Sequence, residues 1–176
     1  FRVQVGQLLV GGIDEQTVYC VYQRPCTVEL AGTNLGGADS VLVVPLAQAC
    51  DTAFNKQLSP YVELNPAAST DVDSPNRKSF DVGKISTQQS LKICYCISFG
   101  TRGCGTAGTP ALQHFSSTAG TVEVWGPFEN ATVDAARSGM EYRLTLRGRL
   151  FNLKNRLSIL RALENVTCGD EGANVS

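Results

Sequence analysis

Two cysteines one residue apart, in the run LKICYCISF (residues 91–99), restrict this chain more than any other feature. Alternate positions on a strand point to the same face. Cys94 and Cys96 would therefore stand side by side, poorly placed to close on one another, and each must reach a different partner. Five more cysteines occur, Cys20, Cys26, Cys50, Cys104 and Cys168, but only one histidine, His114. Zinc sites need paired Cys-x2-Cys or Cys/His spacings, which are missing here. A disulfide framework is the natural reading, and it places the chain in an oxidising compartment. Six cysteines can pair in 15 ways. The preferred pairing is Cys20–Cys26, Cys50–Cys94 and Cys96–Cys104, with Cys168 left unpaired or pairing between units.

Three sequons point the same way: Asn130-Ala-Thr, Asn165-Val-Thr and Asn174-Val-Ser. None has proline in the middle, so Asn130, Asn165 and Asn174 are candidate N-glycosylation sites. N-linked glycans are expected, and no cofactor or metal. Charged residues are only 18% of the chain, so Ser, Thr, Asn, Gln, Gly and sugar would cover much of its surface. A net charge of −1 speaks against nucleic-acid binding. The longest apolar stretch, VLVVPLAQAC (41–50), is broken by Pro45 and is too short to span a membrane. Residues 1–12 open inside a strand-like run with no signal peptide. The chain is expected to be a processed product or a piece of something larger.

Sliding the chain along itself reveals a repeat. Phe1-Arg-Val-Gln-Val-Gly6-Gln-Leu-Leu-Val10-Gly-Gly12 matches Phe115-Ser-Ser-Thr-Ala-Gly120-Thr-Val-Glu-Val124-Trp-Gly126 at an offset of 114. Residues 26–32 match 142–148 at offset 116, residues 40–44 match 156–160 more weakly, and Cys50 matches Cys168 at offset 118. The order and near-constant offset suggest a duplicated unit of about 115 residues. Residues 1–12 then read as the terminal strand of a preceding unit, 13–126 as a complete unit and 127–176 as the first half of a following one. A half-unit cannot bury its apolar face alone and must obtain strands elsewhere.

Period-two alternation recurs at Val18/Cys20/Tyr22, Cys26/Val28/Leu30, Val41/Val43, Leu91/Ile93/Tyr95, Val122/Val124 and Leu144/Leu146. Gly and Pro clusters punctuate these runs. The expected fold is an all-β, immunoglobulin-like β-sandwich, with one complete unit and partial flanking units. Leu150, Leu153, Leu157, Leu160 and Leu163 fit a helical stripe. The repeat favours a loop followed by a strand at 156–161 instead, because the matching segment carries Gly36-Gly37 and a β-branched run.

The stretch VELAGTNLGGADSVLVV (Val28–Val44) resembles the IPT/TIG type of immunoglobulin-like domain, which carries a strand, a G-T-N-[FL]-G-like turn and a second strand. With KICYC (Lys92–Cys96), the chain is similar to cysteine-containing tandem repeats of very large protist surface proteins. The resemblance implies an extracellular spacer, adhesion or assembly module and no catalytic residues.

Candidate chemistry is sparse. His114 would have to serve any Ser/His/Asp or Cys/His catalyst, and no G-x-S-x-G elbow occurs. Asp71-x-Asp73-x-x-Asn76 offers oxygen ligands but lacks the Gly and closing Glu of an EF-hand loop. Asp51 and Asp170 read as turn residues. Residues 137–161 hold seven basic side chains against one acid, Glu141. They read as a solvated strand edge or as a contact for an anionic glycan or acidic partner through Arg143, Arg147 and Arg149. Trp125 and Phe128 flank Gly126-Pro127 and are assigned to the junction between units. The expected function is non-enzymatic. It is a structural module that self-associates or contacts neighbouring repeat units head to tail. The alternative is a cell-surface adhesion module for a carbohydrate or protein ligand.

Overall fold

The computed structural model describes residues 10–50, 59–70, 74–98, 104, 114–127, 145–151 and 154. Nine strands occupy these residues: β1 Gly12–Ile13, β2 Gln16–Val21, β3 Pro25–Thr33, β4 Ser40–Pro45, β5 Ala67–Ala68, β6 Arg77–Lys84, β7 Leu91–Cys96, β8 Ser117–Pro127 and β9 Gly148–Arg149. They form two sheets. One is ordered β1-β3-β6; the other is ordered β2-β8-β7-β4-β5, with β9 added to β8. The fold is an all-β sandwich, and its first strand is split between the sheets. β1 pairs antiparallel with β3, then the chain crosses over and β2 runs parallel to β8.

The crossing is pinned by hydrogen bonds. Asp14 N–H donates to Ala31 O over 2.9 Å. The Gln16 side-chain amide donates to Asp14 O over 2.9 Å and to Ala31 O over 3.2 Å. At the start of the parallel ladder Gly120 has φ +131°, a region open to glycine. A Cβ there would also collide with the Gln16 carbonyl.

The main core fills the space between the sheets. Val28 and Leu30 of β3 and Phe80 and Val82 of β6 meet Val41 and Val43 of β4, Ile93 and Tyr95 of β7, and Val122 and Val124 of β8. Each fully buried aliphatic or aromatic side chain contributes about 1.5–3 kcal/mol. The alternation in β3 follows directly: Cys26, Val28 and Leu30 face in, while Thr27 and Glu29 face out.

β4 and β7 depart from that rule. Five successive residues of β4, Ser40–Val44, are buried. Their odd positions enter the main core, and Leu42 and Val44 join a second cluster with Cys50, Cys94, Cys96, Cys104 and Phe115. The larger sheet is thus covered on both faces at this end, which is why β4 reads as a continuous apolar run rather than an alternation.

The alternation at Leu144/Leu146 meets a different outcome. Residues 145–147 carry no strand, and Leu146 is exposed. The ladder begins only at Gly148, opposite Pro127. β8 is flanked by β7 as far as Val122 and by β2 as far as Trp125. Its projecting end is what remains for β9. The candidate strand at 156–161 and the opening residues 1–9 lie outside the described residues.

Candidate functional site

Three disulfides join Cys20 to Cys26, Cys50 to Cys94 and Cys96 to Cys104, with Cα separations of 5.6, 5.4 and 5.7 Å. These are the pairs preferred from the sequence. Cys94 and Cys96 share the outward face of β7, and each bonds to a different part of the chain. Cys94 holds the segment after β4 through Cys50, and Cys96 holds Cys104. The Lys92 ammonium, on the same face, donates to Gln48 O over 2.8 Å and secures the first segment again. Phe115 is wholly buried in this cluster. Three disulfides belong to an oxidising, extracellular-type environment.

The outward face continues across β8 and β2, where no disulfide among the described residues holds a cover. Thr121, Glu123 and Trp125 of β8 stand beside Thr17, Tyr19 and Val21 of β2. Tyr19 is 60% exposed and Val21 53%. The Tyr19 and Trp125 rings meet edge to face at 5.1 Å. The buried Trp125 Nε1 has no hydrogen-bond partner among the described residues.

A polar cluster adjoins these rings. The Arg149 guanidinium, brought in by β9, pairs with Glu123 Oε2 at 2.8 Å. It also donates to Gln88 O over 2.7 Å and to Ser90 Oγ over 3.2 Å. Ser90 Oγ donates in turn to Glu123 Oε2 over 2.9 Å. Gln88 closes the loop by donating to Pro127 O. Arg149 therefore ties β9 to β8 and to the approach of β7, whereas Arg147 is exposed. Leu150 and Phe151, just beyond, are exposed as well.

The two lateral edges of this sheet differ. The β4 edge is closed twice: β5 pairs with Ser40 and Val41, and Asn65 closes the next position with its side chain. Its Oδ1 accepts from Val43 N–H over 2.9 Å, and its Nδ2 donates to Val43 O over 2.7 Å. One amide thus mimics the peptide group of a neighbouring strand. At the other end β2 is terminal among the described strands.

Sequence reasoning missed a buried polar knot at the far end of β7. Asp39 is fully buried. It accepts from Gly36 N–H over 2.7 Å, from Ser98 N–H over 2.7 Å, from Ser98 Oγ over 2.9 Å and from Tyr95 Oη. Gly36 lies so close to Ser98 that a Cβ would clash with it. Burial, and then the hydrogen bond to the Asp39 carboxylate and its charge, push the Tyr95 phenol well above its ordinary range. The signal available in sequence was a lone acid set between Gly36-Gly37 and the apolar run of β4. The knot joins the turn before β4 to the end of β7, and all its members are spoken for.

His114 is exposed and lies three residues ahead of β8. Among the described residues no group of three His, Cys, Asp or Glu is placed to hold a metal ion, and no helix is long and apolar enough to cross a membrane. Asn130, Asn165, Asn174, Cys168, Arg143, Phe128, Asp51, Asp71, Asp73 and Asp170 lie outside the described residues. None of the protein families, curated proteins or solved structures compared with the chain matches it.

Proposed function

We propose that this chain is a structural module of an extracellular or cell-surface glycoprotein that joins its neighbours head to tail by strand complementation. The observation that carries this reading is the place of β8. The segment equated by sequence with residues 1–12 is residues 115–126, most of which form β8. β8 is no peripheral strand: it pairs parallel with β2 and antiparallel with β7, inside the larger sheet. A half-unit at 127–176 without such a strand would have a gap, which the strand-like run that opens the next chain, ahead of the residues held by that chain's own β3, would fill. A contact of this kind does not close on itself and propagates as a filament. Glycans at Asn130, Asn165 and Asn174 would keep the flanking surface soluble.

The test is electron microscopy and sedimentation of the full chain beside a chain lacking residues 1–9. Chains that polymerise only when those residues are present support the reading. Strictly monomeric full-length particles at all concentrations sink it.

A second reading, an adhesion module for a carbohydrate or protein ligand, is favoured by the exposed Tyr19 beside Trp125 and the Glu123–Arg149 cluster. A glycan array with charge reversal at Arg147 and Arg149 separates the two, since filament formation needs no glycan.

A further inference from the structure

We propose that the edge of β2 that no described strand covers is a self-association surface at which two copies of the chain pair antiparallel about Tyr19, extending the larger sheet through both molecules. This contact is distinct from the head-to-tail one and uses different residues.

The backbone direction is fixed by two observations. Tyr22 N–H donates to Trp125 O over 2.8 Å, and the Gln16 carbonyl abuts Gly120. Even-numbered residues of β2 therefore address β8, and the peptide groups of Thr17 and Tyr19 and the N–H of Val21 turn to the other edge, while Val21 O accepts from Arg24 N–H in the following turn over 3.1 Å. These three positions are symmetric about Tyr19. In an antiparallel pair centred there, the two Tyr19 residues exchange both N–H···O bonds, and Val21 N–H of each copy meets Thr17 O of the other.

The side chains obey the same symmetry. Thr17, Tyr19 and Val21 all lie on the outward face. A two-fold axis normal to the sheet keeps them on that face, so Tyr19 meets Tyr19 and Val21 meets Thr17. The exposed Tyr19 and Val21 are covered, and the Tyr19–Trp125 pair becomes a four-ring row across the junction.

Charge selects the antiparallel sense. The edge residues Gln16–Val21 carry no charge and no proline, so the usual guards against edge pairing are missing. Exposed Asp14 and Glu15 precede the strand, and exposed Arg24 follows it. Antiparallel pairing sets the acidic start of one copy against the basic turn of the other, whereas parallel pairing would set like against like. The opposite edge of the sheet is already closed by β5 and Asn65. Growth from β2 therefore stops at two copies.

The test is symmetry-coded cross-linking of the full chain. Tyr19→Cys places two thiols about 5.5 Å apart between Cα atoms, within disulfide range. It should give a covalent dimer whose non-reduced peptide map joins position 19 to position 19. Thr17→Cys alone should not, but mixed with Val21→Cys it should. In sedimentation equilibrium the wild-type chain should dimerise, and Val21→Pro, which removes the N–H that meets Thr17 O of the other copy, should weaken that by at least about tenfold. The Val21 N–H faces away from β8, so the fold and its three disulfides should survive. Removal of residues 1–9 should leave the cross-link intact, so the head-to-tail reading can fail without this one. A chain monomeric throughout, dimers without a 19–19 link, or dimers appearing only after residues 1–9 are removed would each overturn the proposal.

Discussion

The outward face of the larger sheet has two halves of opposite character. Over β4 and β7 it is sealed: Leu42, Val44 and Phe115 lie buried in one cluster with the Cys50–Cys94 and Cys96–Cys104 bridges. Over β2 and β8 it presents Tyr19, Val21 and a half-buried Trp125. Both halves belong to one hydrogen-bonded sheet, so backbone pairing cannot explain the difference. The side chains explain it. Where outward positions are Leu, Val and Cys, the chain spends two disulfides to keep a second layer in place. Where they are Thr, Tyr, Glu and Trp, a wet face is tolerable and contact with something else becomes possible. A continuous apolar strand marks the first half and an alternating one the second.

The comparison can be broken most severely at the seal. Replacing both Cys50 and Cys94 by Ala releases a link spanning a sequence separation of 44 and should cost about 4 kcal/mol. Urea unfolding should register that loss, accompanied by new binding of a hydrophobic dye. A loss under about 1 kcal/mol would mean that the second layer stays down without its bridge. Next in size is a paired truncation. Leu42→Ala, on the sealed half, should cost about 2–5 kcal/mol. Val21→Ala, on the open half, should stay within about 0.5 kcal/mol. Equal effects would erase the distinction.

A smaller effect comes from the knot behind the seal. Tyr95 is held protonated above its ordinary range in the folded chain, so the unfolded chain gives up that proton first as pH rises. The contribution is fully present below about pH 10. Above that it declines by about 1.4 kcal/mol per pH unit. Subtracting the pH profile of Tyr95→Phe from that of the wild type isolates the slope, and a flat difference between pH 9 and 11 would count against it. The smallest effect is expected at the polar margin of the open half. Arg149 and Glu123 retain 33% and 24% side-chain exposure. Arg149→Ala should therefore cost no more than about 1 kcal/mol in thermal unfolding. A larger loss would make β9 a structural strut rather than an appended strand.

Much of this was legible beforehand. Cys94 and Cys96 had to serve different partners because of strand geometry alone, and in the structure they do. Cys26, Val28 and Leu30 announced an inward face, and they form one. Less was visible where pairing joins distant segments. Nothing local in QTVYCV says that β2 lies parallel to β8, about a hundred residues away. That contact depends on the Asp14–Ala31 corner and on the space left by Gly120. The closure of the β4 edge by the Asn65 amide was equally hidden, since an Asn in a Pro-containing loop reads as a turn residue.

The amino-acid sequence by itself determined the all-β class, the inward faces of the strands and the oxidising chemistry, because these follow from side-chain period and residue type. Only the tertiary structure decided which half of the sheet is sealed and which edge is left uncovered by the described strands. Those outcomes depend on where loops and side chains from elsewhere come to rest against a strand. Strand period records which faces a strand offers, but not what distant part of the chain arrives to cover them.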